Sequence, residues 1–78
     1  MNENIDDLIQ RMKRAAEFSA NESIDSIQAR ISVVHALVAE SHSYGRGALM
    51  RAQQLRDMLV PELRKAMREI IRRNGVDL

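Results

Sequence analysis

The stretch Ile24-Asp-Ser-Ile27-Gln-Ala-Arg-Ile31-Ser-Val-Val34-His-Ala-Leu-Val38 decides the fold. Its isoleucines and valines at 24, 27, 31, 34 and 38 recur at alternating steps of three and four, which lines one face of an α-helix with a coiled-coil-like seam. Ala29, Val33, Ala36 and Leu37 fall on other arcs of the same helix, so between Ile31 and Ala39 it is apolar almost all round. A helix of that kind is buried on more than one side. The pattern predicts a central helix over 20–42 that packs on its own chain with one face and on a second copy with another. We assign Ile24, Ile27, Ile31, Val34 and Val38, with the flanking His35, to the dimer interface.

Upstream, Ile5, Leu8, Ile9, Met12, Ala15 and Ala16 share one narrow helical face, which predicts a first helix over 5–18 with Asn4 as its N-cap. Asp6 and Asp7 then occupy the first turn, where the helix dipole favours carboxylates, and Asp7 is spaced to pair with Arg11. Ser19-Ala-Asn-Glu22 has the form of a capping box, so a second helix is expected to start there. The spacing of residues 16, 20, 24, 27 and 31 would also let one helix run on. The cluster of serine and asparagine, with Phe18 off the apolar stripe, favours a break.

Downstream, Ser41-His-Ser-Tyr-Gly-Arg-Gly47 reads as a turn, because glycine supplies the positive φ that ends a helix. A third helix is expected from about 46–48 to the stop at Asn74-Gly75, its apolar residues holding one phase from Ala48 to Ile71. Pro61 interrupts the backbone of that helix but not its pattern. Proline removes the hydrogen bond to the Asp57 carbonyl and crowds it, so a kink is expected at Pro61. The fold class is therefore all-α: a small antiparallel bundle of three helices in a single domain, 1–78, with the last helix long and kinked, paired as a dimer.

Size supports the second copy. Hydrophobic residues make up 45% of the 78, but nine of them are alanine, and a chain this short buries only roughly 60% of its unfolded surface. Such chains often need a staple. The chain has no cysteine, and its two histidines stand seven residues apart, so neither a disulfide nor a zinc cage is expected. We expect no cofactor or metal. The acidic, polar start Met1-Asn-Glu-Asn-Ile-Asp-Asp lacks the form of a secretory signal, and the longest strongly apolar run, 31–39, is too short to span a bilayer. A cytoplasmic location without membrane insertion is the expectation.

Charge is mild but asymmetric: four basic and seven acidic residues in 1–43, eight and four in 44–78. Arg64, Lys65, Arg68 and Arg72 form a basic ridge on the last helix, readable as a solvated face with Glu62–Lys65 and Glu69–Arg73 pairs or as a site for an acidic partner. Arg56 projects into the apolar stripe of the same helix, where leucine would be ordinary. Its stem could pack while its head reaches the edge, or its fork could pair with a carboxylate of another helix or protein. Met50 and Met58 lie off the stripe and suit a pliant partner surface. His35 and His42 stand two turns apart, too far to chelate one ion together.

No nucleophile with a spaced base, phosphate loop or metal motif is present, so an enzyme is not expected. Phe18 and Tyr44 are the only large aromatics, too few for a base-stacking surface. The reading is a non-catalytic regulatory, inhibitory or adaptor protein acting by protein–protein binding as a homodimer, with Arg56, Met50, Met58, Arg64, Arg68 and Arg72 at the partner site. The alternative is a small dimeric nucleic-acid-binding regulator using the basic last helix, for which a helix-turn-helix around 41–47 would be the weak signal.

Overall fold

The computed structural model describes residues 3–75, and within them the chain is all-α with three helices. α1 spans Glu3–Ala15, α2 Ile24–Ser41 and α3 Arg46–Arg73, with a single 3-10 turn, His42–Tyr44, before α3. The acidic start read at 1–7 lies partly outside the described residues. The molecule is a rod of 49 × 19 × 15 Å.

Several boundaries differ from the sequence reading. α1 begins at Glu3, which places Asn4 inside the helix rather than at its cap, and it ends at Ala15 instead of running to 18. The break between α1 and α2 is present but longer than expected. Ser19 and Glu22 do make half of the capping box, since the Ser19 amide donates to the Glu22 carboxylate at 3.0 Å. The helix itself starts one turn later. Ser23, in extended backbone, accepts from the Ser26 amide at 3.1 Å through its hydroxyl and is the true N-cap. Two adjacent serine-led motifs compete here, and the second wins because Ile24 and Ile27 carry the apolar face down onto the core.

At the other end of α2, Ser41 is the one buried polar side chain among the described residues. Its hydroxyl donates to the Val38 carbonyl at 2.6 Å, so its burial leaves no unmet hydrogen bond. Gly45 then takes φ 110°, a conformation that a side chain would strain, and releases the chain into α3. α3 is one uninterrupted 28-residue helix through Pro61. Asp57 and Pro61 are both exposed residues, and Val60 and Leu63 on either side of Pro61 stay in the core.

α3 returns alongside α2, so that Arg73 in its last turn donates to the Ala20 carbonyl just before α2, at 3.1 Å. α1 lies against both: Arg11 reaches Glu40 of α2 at 2.8 Å, and Arg51 of α3 reaches Asp6 at 3.3 Å. The expected Asp7–Arg11 pair is present but longer, at 3.7 Å. The core is built from Leu8, Ile9 and Met12 of α1, Ile27, Val34, Leu37 and Val38 of α2, and Ala52, Val60, Leu63 and Ile70 of α3.

The seam of α2 therefore has a different neighbour from the one assigned. Ile27, Val34 and Val38 are buried within the single chain, and Ile24 and Ile31 pack against the same core. They pack into the core shared with α1 and α3 of their own chain, where a hairpin of α2 and α3 offers the seam an apolar wall that is already covalently in place. The face left outward is the other one, with Ala29, Val33 and Ala36 exposed.

Two stability outcomes follow from this packing. Leu8→Ala or Leu63→Ala, each at a fully buried side chain, should lower the unfolding free energy by about 2–5 kcal/mol, whereas Met58→Ala at 70% exposure should change it by about 0.5 kcal/mol or less, both read by urea unfolding. Pro61→Ala, at an exposed position inside an unbroken helix, should stabilise by about 1–3 kcal/mol in the same assay.

Candidate functional site

A bundle of three helices leaves one side of its α2–α3 pair uncovered when α1 occupies the other. On that open side His35 of α2 and Arg56, Asp57, Val60, Pro61 and Arg64 of α3 line a groove of about 320 Å³ to which α1 contributes nothing. Its floor is Val60 and Pro61, and its polar wall carries two guanidinium groups, one imidazole and one carboxylate. Pro61 lines the groove together with Asp57, whose carbonyl it leaves without its usual helical donor.

Arg56 reaches this groove from within the apolar stripe. Its side chain is 30% exposed, and its guanidinium pairs with Asp57 of the same helix at 3.1 Å. The stem packs and the head reaches the edge, as the simpler sequence reading held. α2 presents no carboxylate to it. Asp57 is exposed and adjacent in sequence, so it holds the fork loosely and leaves donors available.

The other assigned partner-site residues spread along α3. Arg64 lines the groove, and Arg68 and Arg72 continue from it as exposed residues on the same helix. Among the described residues Arg64, Lys65 and Arg68 make no ion pair. Arg72 pairs with Glu69 at 3.2 Å, so the expected Glu69–Arg73 pair is replaced by a Glu69–Arg72 pair, and Arg73 goes to the Ala20 carbonyl. The expected Glu62–Lys65 pair does not form. Met50 and Met58 are exposed, at 53% and 70%, and sit outside the groove. His35 is exposed and lines it, while His42 lies in the 3-10 turn.

A polar clamp in the α1–α2 connection was not foreseen. Arg30 donates to both carboxylate oxygens of Glu22, at 2.7 and 2.8 Å, and through its third nitrogen to the Ala15 carbonyl at 3.0 Å. Ser26 adds a hydroxyl bond to Glu22 at 2.8 Å. One fork thus ties the end of α1, the loop and the second turn of α2 together. The Arg30 fork, aided by the Ser26 hydroxyl and the Ser19 amide, holds the Glu22 carboxyl down from 4.5 to about 2, against the opposing effect of partial burial. Glu22 was visible in the sequence as a capping residue. Its partner eight residues on was not, because no local spacing rule links them.

A second groove, of about 360 Å³, opens where α1 ends short of the length of α3. Phe18, Ser19 and Ala20 of the connection form one wall, and Glu62, Lys65, Ala66, Glu69, Ile70 and Arg73 of α3 form the other. Phe18 is 44% exposed there. Comparison of the chain with family models, with curated proteins and with solved structures returns no match. No helix of the described residues is long and apolar enough to cross a membrane.

The clamp sets a pH response. A carboxyl whose folded pKa is lowered contributes stability that is full above its ordinary value of 4.5 and is lost as pH falls toward about 2. Glu22→Gln should therefore melt below wild type at pH 7, and the gap between their Tm values should close between pH 4.5 and 2. A gap that stays constant across that range would show that the charge of Glu22 does not contribute.

Proposed function

We propose that this chain is a small antiparallel helical protein that regulates, inhibits or links another protein by binding it, without catalysis, as a homodimer in the cytoplasm. The observation that carries the reading is the open groove between α2 and α3, where Arg56 and Arg64 stand over an apolar floor with a single carboxylate to answer them. A partner helix with an apolar edge and acidic flanks fits that combination. Its leucine- or valine-like residues would cover Val60 and Pro61, and its carboxylates would take the guanidinium donors left over by Asp57. Arg68 and Arg72 extend the positive field along α3 and favour encounter with such a partner. Met58 and Met50 offer adaptable apolar contact beside it.

The test is capture from lysate by wild type and by two variants. Arg56→Leu removes the loosely paired fork from an apolar stripe and should raise the midpoint of urea unfolding while capture is lost. Arg64→Ala should leave the unfolding midpoint unchanged and reduce capture. Capture that survives both variants would sink the reading. Binding to mixed-sequence DNA that weakens steeply with salt, with a shallower slope after Arg64→Ala and Arg68→Ala, would replace it with the nucleic-acid alternative.

A further inference from the structure

Three partly apolar surfaces among the described residues lie open, and their charges sort them. The outer face of α2, with Ala29, Val33 and Ala36, is bounded by Asp25 at one end and Glu40 at the other. Two copies meeting there bring Asp25 and Glu40 carboxylates together with no cation of α2's own outer face to answer them, Glu40 being already held by Arg11 of α1. The α2–α3 groove carries Arg56 and Arg64 against the single carboxylate of Asp57, so two copies meeting there set one net positive surface on another. The Phe18 groove is different: its rim alternates Glu62, Lys65, Glu69 and Arg73 around Phe18, Ala66 and Ile70.

That alternation is self-complementary in one arrangement. When two α3 helices cross in opposite directions near Met67, Glu62 of one copy stands level with Arg73 of the other, and Lys65 stands level with Glu69. The two-fold axis then repeats both pairs. The same helices crossing in the same direction would stack each charge on its own copy. Ala66 lies beside the crossing, and a small side chain there lets the two helices approach closely. Phe18, on the short connection beside α3, supplies the exposed aromatic that an interface centre requires.

The charges concerned are available in the free chain. Lys65 and Glu62 make no ion pair among the described residues. Arg73 uses one nitrogen on the Ala20 carbonyl. Glu69 pairs with Arg72 in an exposed contact at 3.2 Å, of the kind that re-forms at little cost. We propose that the Phe18 groove and the C-terminal half of α3 are a homodimer interface, occupied by a second copy of this chain through an opposed α3–α3 crossing near Met67. The proposal rests on the reading of the chain as self-associating and supplies its surface, replacing the α2 seam.

The test is the mass of the purified full-length chain by sedimentation equilibrium. At about 100 µM, well above the dissociation constant of a standard-sized interface, wild type should be a dimer. Lys65→Glu and Glu69→Lys alone should each weaken the dimer about tenfold or more, and the double variant, in which the pair is exchanged, should return to near wild type. Phe18→Ser should also weaken it. All three positions changed are exposed, so circular dichroism melts should show each variant folded. A wild-type monomer at that concentration overturns the proposal, as does a dimer indifferent to the single reversals or a double variant that stays weak. Neither Lys65 nor Glu69 lines the Arg56 groove, so failure here leaves partner capture by that groove standing, and failure of capture leaves the dimer standing.

Discussion

α2 carries more apolar circumference than one neighbour can cover, and in a chain of this length that constraint dictates most of the rest. Ile27, Val34, Leu37 and Val38 are all buried in one core with residues of α3 and α1, so both helices are needed to cover α2. Thirteen residues suffice for α1 because it needs only Leu8, Ile9 and Met12 to fill the angle between the longer pair. The arrangement works only if the turn out of α1 is fixed. The Arg30 fork, bonded at once to Glu22 and to the last carbonyl of α1, supplies that fixity where apolar contacts are sparse.

The legible part of the fold was the part governed by local period. The three helices, the break after α1, the glycine turn and the stop near Gly75 all follow from spacing and backbone chemistry within a few residues. The neighbour of the seam did not follow. A stripe of β-branched residues says that something apolar will cover it, but not whether that surface belongs to the same chain. Ile27, Val34 and Val38 are buried within the single chain, where α3 is tethered to α2 by a short turn and so stands at high effective concentration. The helix starts were misjudged for a related reason: Ser19 and Ser23 offer similar caps, and the choice between them is made by where Ile24 and Ile27 must land.

At the groove, sequence reasoning found residues but not their grouping. Arg56 stood out because it violates the stripe, and Arg64 because it belongs to a run of basic residues, yet nothing in their spacing brings His35 of another helix beside them. Pro61 was read through its effect on the helix axis. Its more useful consequence is chemical, since an interior proline strips the Asp57 carbonyl of its intrahelical donor, and Asp57 and Pro61 line the groove that carries the two arginines. Arg30 has no local signature, being the single arginine of α2 with its partners eight and fifteen residues away.

Charge pattern then separates the surfaces by what they can meet. Along α3 the same helix carries two arrangements: toward the open groove, arginines unanswered except by Asp57, and toward Phe18, acids and bases in alternation. A surface of one sign repels its own copy and waits for an opposite one, whereas an alternating surface can close on itself under two-fold symmetry. Putting the two on opposite sides of one rigid helix lets both be used together, because an opposed crossing near Met67 leaves each groove of arginines facing outward. Under the proposed crossing, a second copy would cover the exposed Phe18 and leave the groove of Arg56 and Arg64 open on each copy.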